Sequence, residues 1–308
     1  MSRRGWILLG ALGVIWGVPY LFIKIAVGEV TPPVVVFART SIGAVLLLPF
    51  ALRSGGLARL RGHWRAIIAF TALEVIGPWF WLSNAERTLT SSTTGLLVAT
   101  VPLIAVVVGR IVDRTPVAPV RWLGLVVALG GVGLLLGPGA AHGDAWAVAQ
   151  VLLAALGYAI APIIADRRLG DVPPLTLTAA VLTLAALTYA PVVALTGPHA
   201  WPAADGLTAL LVLGVVCTAL AFTLFFRLIA EVGGARATLV AYINPLVAVT
   251  AGALVLDEPV TWALLAATVL ILAGSAGAAR RGGSPAGAAG APADPVTAGT
   301  ARDGAAGP

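Results

Sequence analysis

Charge is what this sequence has least of. Asp, Glu, Lys and Arg make up 10% of its 308 residues while hydrophobic residues make up 59%, where a soluble domain carries roughly 25% charge. A water-soluble fold of this length has no way to hide so much apolar surface, and that class is excluded. Cysteine is nearly missing: Cys217 stands alone inside an apolar run, which excludes intramolecular disulfides and a cysteine metal cluster. His63, His142 and His199 fall far apart in polar gaps, without the spacing of a metal-ligand pair. The sequence has no Gly-x-x-x-x-Gly-Lys loop, which argues against direct use of ATP. No cofactor or metal is expected. A formal charge of +6 would suit nucleic acid on a solvated face, but the arginines sit in short gaps between apolar runs. No nucleic-acid partner is expected.

Long apolar runs are what the chain does have. Ten stretches, at about 6–27, 32–52, 64–84, 91–110, 119–136, 145–165, 174–195, 206–229, 235–256 and 261–279, are each near the ~20 residues needed to cross a bilayer. Alternate gaps hold the basic residues. With the N-terminus and Arg3 and Arg4 on one side, the same side receives Arg53, Arg59, Arg61 and Arg65, then Arg110, Arg114 and Arg121. Arg167 and Arg168, Arg227 and Arg236, and Arg280 and Arg281 follow on that side. The other side has Arg87 alone among arginines, with the acids Glu29, Glu86, Asp144, Asp205, Asp257 and Glu258 scattered among its loops. Arginine-rich gaps stay in the cytoplasm, so both termini are expected there, in a multi-pass protein of the cell inner membrane. The first run follows two arginines but is longer than a signal-peptide core and lacks a clear cleavage site, so it reads as a span.

The ten runs divide into two sets of five. The segment TGLLVATVPLIAVVVGRIVDRTPV ending the fourth run parallels ATLVAYINPLVAVTAGALVLDEPV ending the ninth. At one common offset Pro102 pairs with Pro245, Gly109 with Gly252, Pro116 with Pro259 and Gly131 with Gly274. Five is odd, so the second copy enters the membrane from the opposite side. Inverted repeats of this kind belong to secondary transporters, whose substrate site lies near mid-membrane where the halves meet. The expected fold is an all-α integral membrane protein of ten transmembrane helices in two inverted five-helix repeats.

Three stretches carry a family resemblance. IWGVPYLFIKIAVGEVTPPVVVFARTSIGAVLLLP, NAERTLTSSTTGLLVATVPLIAVVV and, most specifically, TALAFTLFFRLIAEVGGARATLVAYINPLVAVTAGALVLDEPVTWALLAATVLILAG resemble EamA-type proteins of the drug/metabolite transporter superfamily. The resemblance implies repeats at 1–139 and 140–281; the Gly-, Ala- and Pro-rich composition of 282–308, unable to bury a core, implies a disordered cytoplasmic tail. It implies a carrier that exports small metabolites, such as amino acids or related compounds, or drugs, by alternating access. Two other readings stay open: a lipid-carrier flippase subunit of the same superfamily, and an intramembrane lipid-modifying enzyme, which would need acids or histidines gathered at one face.

Full charges inside spans are costly and normally face protein or a water-filled cavity. There are three, Lys24, Arg39 and Glu74, all in the first half. Their counterparts in the second half are Ile164, Ala180 and Cys217. Glu74 lies about ten residues from either end of its span, about 15 Å deep at 1.5 Å per residue. It is expected to couple transport to a proton gradient or bind a substrate amine; the alternative is a structural acid paired with Arg39. Arg39 matches carboxylate geometry and would bind substrate or hold Glu74. Lys24 reads as a gate residue or an interfacial anchor. Trp16, Tyr20, Trp79, Tyr158, Tyr242 and Asn244 are the expected cavity lining. The repeat-related Pro102 and Pro245 are expected to bend their helices during gating. Gly13 with Gly17, and Gly133 with Gly137, are spaced for close helix packing. Such faces serve a monomer and a homodimer alike. The expected partners are a small-molecule substrate, a proton or other ion gradient and the lipid bilayer.

Overall fold

A computed structural model describes residues 1–53, 55–112, 114, 117–137, 145–197 and 201–279. All regular structure among these residues is helical. Seven helices are long and apolar enough to cross a membrane: α1 (Arg3–Val27), α2 (Pro32–Arg53), α3 (Ala58–Ala85), α4 (Ser91–Val112), α6 (Ala145–Arg168), α7 (Pro174–Thr196) and α8 (Ala204–Val232). Three shorter apolar helices complete the described bundle: α5 (Pro119–Leu136), α9 (Val240–Val255) and α10 (Trp262–Ala279). An apolar helix lies at each of the ten expected runs, with ends that differ by up to six residues, and seven of the ten have the length of a span. The junction between the expected repeats, and the tail 282–308, lie outside the described residues.

Local chemistry sets the ends and interruptions. Ser2 caps α1 by accepting from Gly5 N, which satisfies one of the N–H groups that lack a helical partner. Pro19, with no N–H to give, divides α1 at Val18. In α4 a turn at Ala99–Thr100 precedes Pro102, which therefore starts a new helical segment, whereas Pro245 is buried within a continuous α9. The two prolines share a place in the sequence frame but not a local structure. α3 and α8 each widen into a π-helical stretch, at Ala72–Ile76 and Val212–Leu220.

Loop contacts sort the two ends of the bundle. At the N-terminal end Ser2 Oγ donates to Glu231, Arg59 donates to Asp171 O at 3.2 Å, and His63 lies 3.1 Å from the Asp171 carboxylate. At the far end Lys24 Nζ donates to Glu86 O and Leu89 O at 2.7 and 2.8 Å, and Gly206 N donates to Glu29 at 3.2 Å. α1 thus runs from the first end to the second, whereas α6 ends just before Asp171 at the first, so α1 and α6 run in opposite directions.

Apolar side chains cover the periphery as well as the core. Leu195 and Trp262 are each 87% exposed, a surface that water would not tolerate but lipid does. Inside, α2 packs on α7 through Ala44 and Leu47 against Ala179 and Leu182. Without a hydrophobic drive between helices in lipid, close approach at small residues does this work. A Cβ on Gly124 would meet Gly274 O at 2.6 Å, so α5 and α10 touch backbone to backbone, joining one half to the other. Gly13 and Gly17 abut Ile243 and Val247 of α9 as their spacing predicts. Gly133 does not pack so: nothing lies within 4 Å of its Cβ position, and Gly137 ends α5 at φ 57°.

Gly274→Leu and Gly17→Leu are expected to lower thermal stability in detergent by about 1–3 kcal/mol or more through overpacking. Gly133→Ala should stay within ~0.5 kcal/mol of the wild type.

Candidate functional site

Two of the three charges expected inside spans meet at one cavity of about 610 Å³. Glu74, on the π-helical turn of α3, and Arg39, on α2, both line it. A π turn adds one residue to the helical repeat and is frequently found at functional sites. Here it carries a half-buried carboxylate into the cavity wall.

Arg39 is only 8% exposed and is held from two directions. Its Nε donates to Thr218 Oγ1 at 2.9 Å, and its guanidinium carbon lies 3.7 Å from the centroid of the Trp79 ring. Thr218 sits on the π-helical stretch of α8, where its hydroxyl donates to Leu213 O at 2.8 Å. The two widened turns therefore serve the cavity together, one presenting the acid and the other fixing the base. No ion pair joins Arg39 to Glu74 among the described residues. A planar guanidinium stacked on an aromatic face keeps its in-plane donors for other partners.

Trp16, Tyr20, Trp79, Tyr158 and Asn244 join Arg39 and Glu74 in the lining. Asn244 is anchored as well: with its amide nitrogen toward α1 it donates to Gly13 O at 3.1 Å and to Val240 O at 2.9 Å. Tyr242, two residues earlier and on another face of α9, directs its hydroxyl at Ser275 O of α10, 3.5 Å away. Neither Tyr242 nor the expected gating residues Lys24, Pro102 and Pro245 line the cavity; Lys24 holds the loop between α3 and α4.

Sequence reading missed the aromatic wall. Phe222, Phe225 and Phe226 of α8 line the cavity, and Trp16 meets Phe225 at 4.8 Å and Phe222 at 5.9 Å between ring centroids. Their spacing of three and four residues puts them on one helical face, a signal present in AFTLFFR. Also missed was Glu258, whose carboxylate accepts from Ser91 N at 2.7 Å, from Ser92 N at 3.0 Å and from Ser92 Oγ. It caps the first turn of α4, where N–H groups lack partners and an anion is favoured.

A bundle apolar on its outside, enclosing a cavity with one acid, one base and eight aromatic rings, defines a multi-pass membrane protein with room for a small molecule inside it. Residues 3–137 and 145–280 each match the EamA-like transporter family, and the chain belongs to that family. It is 29% identical over 248 residues to the uncharacterized inner membrane transporter YedA of Escherichia coli strain K12, across 79% of this chain and 80% of the relative. The uncharacterized transporter YoaV of Bacillus subtilis is 24% identical over 277 residues, across 87% of this chain and 94% of its own. A crystal structure of a protein 21% identical in sequence superposes with a TM-score of 0.65, covering 90% of this chain and 97% of that one, and shares the fold.

Thr218→Val, which leaves the buried Arg39 Nε without an acceptor, is expected to lower thermal stability by about 1–3 kcal/mol. Thr218→Ser should retain most of it. Unfolding in detergent checks both.

Proposed function

We propose that the chain is a secondary carrier of the inner membrane that exports small metabolites, such as amino acids or related compounds, or drugs, by proton-coupled alternating access. In this reading ten helices span the bilayer as inverted five-helix repeats, 1–139 and 140–281, with both termini and the tail 282–308 in the cytoplasm. The observation that carries the proposal is the pairing of Arg39 and Glu74 on one cavity with no bond between them. An unpaired acid and base at that depth are expensive, and a substrate bearing complementary charge relieves both. The rings around them suit an apolar substrate body.

The cavity's extent supports an inward-facing state. Phe70, Ala165, Pro174 and Thr238 line it, and these belong to the parts of α3, α6, α7 and the α8–α9 connection nearest the N-terminal end. At the far end, outside in this reading, Lys24, Glu29 and Glu258 bind across the loops. Glu74 exchanges a proton for substrate while the cavity faces inward; the halves then rock to expose it outward.

Counterflow and pH-driven uptake in liposomes test the cycle. Glu74→Gln is expected to abolish the response to a pH gradient while leaving counterflow; a pH-driven rate equal to that of the wild type rejects the coupling role. Arg39→Gln is expected to weaken binding of carboxylate-bearing substrates by about 10–100-fold, the ~1.5–3 kcal/mol of a charged hydrogen bond. Cationic drugs should be affected far less. Thr218→Val, which loosens Arg39 but keeps its charge, separates fold damage from lost charge.

A further inference from the structure

Glu86 is the first residue past the end of α3, and the pattern of the sequence assigns it to an exposed loop. It is instead 0% exposed, and neither of its carboxylate oxygens has a hydrogen-bond partner among the described residues. A carboxylate without water or donors does not stay ionised at low cost; it takes up a proton or a cation. Lys24 is beside it but spends its hydrogen bonds elsewhere, on the backbone carbonyls of Glu86 and Leu89. Opposite stands Glu258 from the other half, already satisfied by the first turn of α4. Next to Glu258, Ser91 Oγ is also buried without a partner. Gly252 opens this notch, since a Cβ there would meet Ser91 Oγ at 2.7 Å and Ser92 Oγ at 2.6 Å.

We infer that Glu86 is a proton-binding site separate from Glu74, and that the bound proton keeps the far end of the bundle closed. The direction of the gate rests on the carrier reading above, in which this end faces outward. A neutral Glu86 places no like charge against Glu258 where the two halves meet. Its deprotonation sets two anions at that seam, one with no donor, and favours separation of the halves.

The groups that act on Glu86 are Lys24 and Tyr20 of α1, Arg39 of α2 and Glu258 of the α9–α10 loop. Burial pushes the Glu86 carboxyl well above the usual carboxylate range and Glu258 reinforces this, while Lys24 and Arg39 pull the other way. The neutral form and the closed gate therefore prevail in acid, and both are lost as pH rises through that raised range. Lys24 already sets a positive charge beside the carboxylate, which disfavours a second cation there and leaves the proton as the occupant.

Infrared difference spectra of the purified full-length protein, between mildly acidic and alkaline buffer, read the proton directly as a protonated-carboxyl C=O band that shifts in heavy water. The band component is expected in the wild type and in Glu74→Gln, and lost in Glu86→Gln. A Glu86→Gln spectrum superimposable on the wild type overturns the proposal, as does loss of the band on adding sodium at constant pH.

The gate is read by labelling in a Cys217→Ala background. Ile23→Cys lines the cavity, and Trp201→Cys, at a position 92% exposed, serves as reference. The labelling rate of the first relative to the second, from the far side, should rise severalfold from acidic to alkaline pH with Glu86 and stay flat with Glu86→Gln. An equal rise in Glu86→Gln, or none in either, overturns the gating role. Neither readout requires a substrate, so a failure to transport would sink the carrier reading and leave this one standing.

Discussion

In hydrocarbon no water is available to pair a polar group, so every donor and acceptor must be satisfied within the protein or face a wet cavity. That constraint governs where most of the polar residues described within the helices sit. The hydroxyls take the local solution. Thr40, Thr71, Thr183 and Thr268 each donate to the carbonyl one turn back, at 2.6 to 2.8 Å, which makes them almost apolar to their surroundings. Residues too charged for that solution need longer reach. Arg39 finds Thr218 and the face of Trp79, Lys24 finds two loop carbonyls, and Glu74 finds the cavity. The distribution of polar atoms is thus a map of what the bilayer forbids.

The same constraint explains what was legible in the sequence. Spans stand out because lipid demands apolar runs, and Glu74 and Arg39 stand out because charge within such runs is rare. Five of the lining residues expected beside Glu74 and Arg39 do line the cavity; Tyr242 does not, because its face of α9 meets α10. Loop acids were opaque for a different reason. Glu86 and Glu258 look like ordinary solvated charges, and only contact between distant segments, such as Ser91 with Glu258, buries or employs them. Nor does local sequence announce the π-helical stretches, since an added residue per turn is fixed by packing against neighbouring helices.

Those two stretches bear on how the repeat was used. They occupy corresponding helices, α3 and α8, and Glu74 on one corresponds in the repeat frame to Cys217 on the other. The frame is common, but its chemistry is divided: the α3 turn presents an acid to the cavity, while the α8 turn offers Thr218 as the acceptor that orients Arg39. A symmetric scaffold with an asymmetric centre places one charge of each sign on a single pocket, which two identical halves would not do.

The contacts that hold the molecule fall into two kinds with different energies. The seams between α2 and α7 and between α5 and α10 are close-packed, with small residues bringing the helices together; opening them would expose packed surface and leave cavities. The far-end closure is made of a few hydrogen bonds from Lys24, Glu29 and Glu258, each contributing about 1.5–3 kcal/mol at most for a charged partner. A switch from 1:99 to 99:1 between two states takes ~5.5 kcal/mol of differential binding. In the carrier reading, loss of two or three of those bonds is a change of about that size, within reach of a small ligand or a proton, whereas separating the glycine seams is not. In the carrier reading proposed above, the glycine seams are the rigid part of the fold and the polar contacts at the far end the reversible one.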